Sequence, residues 1–330
     1  MCAKIPNVML WDDHDIFDGW GSYPEDMLKS PVFFGVFLTA RKFYLLFQHH
    51  TTIEKVQDGK TDLFGSSPQS CPSFSFLKLL GPTVAILGVD IRSERTKEQI
   101  MSKESWDVVF AKAQDLPQTV RHLMVNFTVP IIYPKVPISE GLLQLVSNMN
   151  RISALNALLV KTNILSSLMK FDEPELLDDL VDHWTGVHHS EERRKVVEGF
   201  QQLAIDRQLR ISFISGDVHC AALGRFYSYP KMQHLAMDPF FMPQVITSAI
   251  INVPPPPMAV KLMHSFDHAG NRINNHTREK MVRFFKTRHP REEKVLAKRN
   301  FLIVEGHEDG ALKMSLFVED HAHMMDDPEC

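Results

Sequence analysis

Three apolar runs in this chain stop abruptly in charge, and that pattern constrains its fold more than any other feature. Residues 7–11, NVMLW, run into DDHD; residues 83–89, TVAILGV, run into Asp90, Arg92 and Arg95; residues 211–214, ISFI, run into the SGDVH of residues 215–219. Short apolar runs of this length, bounded by polar or turn residues, read as buried strands that deliver polar groups at their tips.

Helical patterns interleave with these runs. Residues 31–48 carry Phe33, Phe37, Phe43, Leu46 and Phe47 at near-helical spacing, which predicts a buried helix. Residues 98–114 also read as a helix. In residues 190–208, Ser190 stands as an N-cap ahead of early acids and a stripe of Val196, Val197, Phe200 and Leu203. Residues 122–133 give a further strand in which Pro130 marks an edge or an end. Residues 245–252 are strand-like and precede a stiffening proline tract at 254–257. FLIVE and ALKMSLFVE flank residues 306–310, a spacing that suits an antiparallel hairpin. Residues 58–72 read as an exposed loop and 139–170 as one or two buried helices, a packing insertion. Strands alternating with helices favour a layered α/β architecture, taken as a single domain over residues 1–330.

Composition narrows the function classes. With 330 residues, 44% of them hydrophobic, the chain can bury a substantial core. A formal net charge of -4 gives no overall basic field for a nucleic-acid backbone. The basic run KTRHPREEKVLAKR is mixed in charge and reads as a solvated helix face. Cys2, Cys71, Cys220 and Cys330 form neither a disulfide framework nor a zinc finger. The apolar segments at 32–47 and 153–169 are broken by Arg41, Lys42, Lys161 and Asn163, short of a membrane span. No signal peptide pattern opens the chain. A soluble, cytoplasmic protein is expected.

WDDHD and SGDVH, about 200 residues apart, hold the residues suited to chemistry. Carboxylates and imidazoles converging from strand ends suit a hard or borderline cation. The bland alternatives are an Asp cap at a helix start for WDDHD and a satisfied core histidine for His219. Arg92 and Arg95 offer planar forks for a phosphate, although a solvated surface pair is the favoured expectation for two arginines. His183, His188 and His189 are expected to be ordinary surface histidines.

Four blocks, in order, resemble those of the PhoD-like phosphatases: WDDHDIFDGWGSYP, ILGVDIRSERT, DHWTG followed by ERR, and ISFISGDVH. The resemblance is strongest to the eukaryotic branch of that family, which is similar to the calcineurin-like metallophosphoesterases. It implies a layered β-sandwich flanked by helices, with a two-metal site at the strand ends. It further implies Asp13 (with Asp12 as its alternate), Asp217 and His219 as metal ligands. His14 would protonate the leaving group and Arg92 would assist at the phosphate. The implied activity is hydrolysis of a small phosphate monoester or diester with Ca, Fe, Mn or Zn, the cations lowering the pKa of a bridging water. Family members resembling this chain carry, ahead of WDDH, a strand ending in a metal ligand and a Gly-Asp block. Only ten residues precede Trp11. A fold incomplete at the N-terminus is therefore expected, through truncation or with completion by another segment. The competing expectation is a non-catalytic scaffold or regulatory module.

Overall fold

The computed structural model describes residues 4–65, 73–134, 169–170, 173–174, 183–186, 188–248, 250–251, 254–255, 271–283, 294–307 and 311–319. Along the chain come α1 (Asp13–Ile16), α2 (Glu25–Leu28), α3 (Pro31–Phe43), a π-helical turn (Tyr44–Gln48) and α4 (Ile53–Gln57). Then follow β1 (Leu63–Phe64), β2 (Ser75–Leu79), β3 (Val84–Gly88), α5 (Lys103–Gln114) and β4 (His122–Phe127). β5 (Met169–Lys170) pairs with β6 (Glu173–Pro174). The second half holds α6 (Ser190–Arg207), β7 (Arg210–Ser215), β8 (Ala221–Ser228), β9 (Met242–Thr247), β10 (Asn271–Arg272), β11 (Thr277–Met281) and β12 (Val295–Leu296). The hairpin β13 (Asn300–Gly306) and β14 (Leu312–Val318) closes the described chain.

The main sheet is mixed and runs β1-β2-β3-β4-β7-β9-β8-β11-β10, with β12 also on β8. Its centre is parallel: β3 on β4, β4 on β7 and β7 on β9. The carboxyl ends of these four strands therefore lie along one edge. Parallel strands need both faces covered, and β3, VAILG, is accordingly apolar throughout with both faces in the interior. Helices α5 and α6 cover one face: Phe110 lies 4.9 Å from Phe200, and Phe127 stacks on Phe213 at 5.7 Å. Both helices have identifiable ends. Ser102 accepts from the Ser105 amide at the start of α5, and Gln208 ends α6 in the left-handed conformation.

A second core gathers around α1 and α3. Trp11 stacks on Tyr44 at 4.6 Å and Trp20 on Phe37 at 4.9 Å, with Phe74 and Leu45 also buried in this cluster. Ser30 caps α3 and Pro31 occupies its first turn.

The mixed α/β architecture follows the expectation, and so do β3, α5, α6, β7 and the hairpin, whereas β4 ends at Phe127 and β9 spans Met242–Thr247 in place of the strands expected over 122–133 and 245–252. Several details differ. Residues 7–11 form no strand: among the described residues they have no ladder partner, and they anchor Trp11 in the aromatic cluster. Ser190 is the first residue of α6 rather than its cap. Within the basic run, Val295 and Leu296 pair with β8 as strand. The loop assigned to 58–72 contains β1, which pairs with β2. The insertion at 139–170 lies outside the described residues except for β5. Among the described residues no helix is long and apolar enough to cross a membrane.

Candidate functional site

At the carboxyl edge of the parallel strands, the two distant clusters meet. One ligand atom from each of Asp12, Asp13, His14 and Asp217 lies within 4.8 Å of the others. Two local structures bring them there. The first is α1, which opens at Asp12 with the Asp15 carboxylate accepting from the Asp12 amide at 2.9 Å. The helix start with acidic caps and the acidic cluster are thus the same object. The second is the turn after β7, where Gly216 donates to the Thr128 carbonyl at 2.9 Å. Asp217 and His219 both take left-handed conformations there, with φ of 70° and 49°, an uncommon state for residues other than glycine.

Arg92, only 1% exposed, ties the cluster together. Its Nε donates to Asp12 Oδ1 at 2.5 Å, and its Nη2 lies 3.2 Å from Asp13 Oδ1 and 3.4 Å from Asp217 Oδ1. Its Nη1 donates to the Trp20 carbonyl at 3.3 Å. Asp13 Oδ2 accepts from the Gly19 amide at 2.7 Å. Asp13 Oδ1 is buried without a hydrogen bond, its charge met by Arg92 and by His14 Nδ1 at 3.0 Å.

Electrostatics divide the carboxylates. Burial opposes the charge of Asp12, but Arg92 and His14 overcome it and hold its carboxyl well below the usual range. For Asp217, burial and then the neighbouring Asp12 and Asp13 charges push the carboxyl well above it, with Arg92 offsetting only part. The Asp12 and Asp13 carboxylates raise His14 to about 11. Three carboxylates thus share one guanidinium and one imidazole.

The structure brings together Asp12, Asp13, His14, Arg92 and Asp217, and sets His219 beside His14 with ring centroids 5.2 Å apart. Arg92 and Arg95 are not a solvated pair. Both are buried, Arg92 because it faces three acids, Arg95 because it packs over Gly21. A Cβ on Gly21 would come within 2.7 Å of Arg95 Cγ, and the φ of +101° there also favours glycine. His183 and His189 are buried rather than exposed, the former 4.7 Å from the Tyr133 ring. His188 is at the surface against Glu98. None of the three joins the cluster.

Sequence reasoning missed the supports. Asp90 accepts from Trp11 Nε1 at 2.9 Å and from the amides of Phe74, Arg92 and Ser93. It thereby fixes the residue before Asp12 and the backbone of Arg92 at once. The closely spaced glycines of DGWGS, which let the chain fold back on Asp13 and Arg95, were the available signal.

Known proteins similar to this chain identify its family. An uncharacterized protein of Saccharomyces cerevisiae, YGR266W, is 33% identical over 305 residues, covering 80% of this chain and 43% of its own length. The solved structure of PhoD is similar over 73% of this chain and 39% of that one, at 11% identity and a TM-score of 0.39. The chain thus spans less than half the length of either. A family model described as PhoD related phosphatase matches residues 1–158 and 150–327. Since that match takes in both arms of the cluster and the sheet between them, the chain belongs to the PhoD related phosphatase family.

Proposed function

We propose that the chain carries the hydrolytic centre of a metal-dependent phosphoric ester hydrolase acting on small phosphate monoesters or diesters. The observation that carries this reading is the convergence of three carboxylates and an imidazole within 4.8 Å, from segments about 200 residues apart. Oxygen and imidazole donors suit Ca, Mn, Fe or Zn. The unbonded Asp13 Oδ1 and the surplus of carboxylate over guanidinium charge fit such an ion.

Bound there, cations neutralise phosphoryl oxygens and polarise phosphorus. In this reading Asp12, Asp13 and Asp217 hold them, with His219 contributing beside His14. Arg92 acts by fixing the carboxylates: its fork is already engaged with them and with Trp20, which replaces the phosphate clamp expected from sequence. His14, with 41% of its side chain exposed, holds the proton delivered to the leaving oxygen. Because the relatives are much longer, further ligands from another segment belong to this proposal. So does a cytoplasmic setting.

Turnover of an aryl phosphate with added Ca, Mn, Fe or Zn tests the reading. His14→Ala is expected to lower kcat about 100-fold or more. Unchanged turnover in that variant, or none under any metal even in a longer form of the protein, would defeat it. One observation favours a second reading, a non-catalytic module: the Arg92 guanidinium touches all three carboxylates and can serve as their resident cation. Elemental analysis separates the two, since only the first predicts bound metal displaced by chelator.

A further inference from the structure

At the ends of β7 and β9, a cavity of about 340 Å³ opens between the sheet edge and the closing hairpin. Its lining is mostly apolar: Ile214 from β7, Ile250, and Phe301, Leu302 and Val304 from β13, with Thr247, Ser248 and Asn300 at its polar side. Two residues of that polar side, Thr247 and Ser248, pack against Gly216, the chain neighbour of Asp217. A Cβ on Gly216, the residue just before Asp217, would stand 3.7 Å from the Thr247 carbonyl and 3.9 Å from Ser248 Cβ.

The cavity wall is built rather than incidental. Asn300, nearly fully buried, accepts from the Ser248 amide at 3.1 Å and donates to the carbonyls of Ser248 and, at 2.9 Å, Lys298. That clasp fixes the hairpin against the end of β9. Ile250 is 65% exposed and Phe301 44%, so apolar surface faces water on both rims, at the position where open α/β sheets take their ligands. The volume and the lining, apolar with a few polar groups on one side, match those of small-molecule sites.

We propose that this cavity receives the apolar alcohol portion of a phosphate ester whose phosphoryl group sits at Asp12, Asp13, His14 and Asp217. The inference rests on the phosphoesterase reading and names its substrate class: esters with an alkyl or aryl alcohol, in preference to polyhydroxylated ones. Its basis is continuity, since Thr247 and Ser248 flank Gly216 and line the cavity at the same time.

Calorimetric titration of the full chain with Mn²⁺ and a series of inorganic, methyl, butyl and octyl phosphate decides it. Burying a methylene tightens binding about four-fold, so butyl phosphate is expected to bind at least about ten-fold tighter than methyl phosphate. In Val304→Glu, which places a charge in the cavity, the butyl-to-methyl ratio is expected to fall toward one. Val304→Thr, a near-isosteric change, is expected to lower it in part and covers the case in which the glutamate variant does not fold. Equal affinity across the series in the native chain would overturn the inference and leave the phosphoesterase reading standing. So would a ratio that survives both substitutions. Absence of binding by every probe, inorganic phosphate included, in this chain and in a longer form of the protein would remove both.

Discussion

Asp90 ties the segment that carries Asp12 to the backbone of Arg92. Its side chain is fully buried and accepts from the Trp11 indole, from the Phe74, Arg92 and Ser93 amides, and from the Ser93 hydroxyl. Every donor around it points at an oxygen. Asp90→Asn keeps the volume but turns one oxygen into an amide that faces those donors, leaving at least one of them buried and unpaired. The expected cost is about 2–3 kcal/mol, read from the urea midpoint, together with a loss of order in the Arg92 contacts. A change under about 0.5 kcal/mol would mean that the backbone holds Trp11 and Arg92 without it. In the sequence Asp90 looks like any other charge that ends a strand. Spacing alone does not distinguish a carboxylate that accepts amides from one that holds a cation. Arg92 and Arg95 were misjudged for a related reason. Exposure is the ordinary fate of arginine, and what overrides it here is three acids and a glycine brought from elsewhere in the chain.

At the scale of elements, β3 and β7 were legible because apolar runs with abrupt polar ends leave little else to form. Residues 7–11 show the limit of that signal: an extended run and a paired strand have the same pattern, and only a ladder partner separates them. The pairing of β4 with β7 also carries a titration. His122 lies opposite Arg210 in register, and its Nε2 is 2.9 Å from Ser212 Oγ. Burial, and then the Arg210 charge, push its pKa down from 6.5 to about 4. The unfolded chain therefore binds the proton first as pH falls. Stability tied to this group is intact above about 6.5 and is lost as pH drops toward 4, at up to about 1.4 kcal/mol per pH unit. His122→Gln keeps a partner for Ser212 and removes the titration. Urea midpoints between those pH values are expected to fall less steeply in the variant, by on the order of 2 kcal/mol in total. Parallel slopes would show that His122 titrates normally.

For the molecule as a whole, the cluster sits where two cores meet. Trp11 and Ile16, which bracket Asp12 to Asp15, belong to the aromatic core, whereas Val89, Ile91 and Cys220 belong to the core under the main sheet. Hydrophobic burial on both sides forces the carboxylates together against their mutual repulsion, which Arg92 and His14 relieve. Metal-free, the native chain is therefore expected to be less stable with Asp217 than with a neutral residue of the same shape. Asparagine meets that description and tolerates the left-handed backbone at this position. In chelator, Asp217→Asn is expected to match or exceed the native thermal midpoint, against the usual direction for a buried polar substitution. With Mn²⁺ at about 100 times its Kd, the native chain is expected to gain about 2.7 kcal/mol and the variant much less, so that the order of the two midpoints reverses. Should the variant be the less stable in chelator, the carboxylate charge is already balanced by Arg92 and His14. Should both gain equally from Mn²⁺, the cation binds away from this cluster.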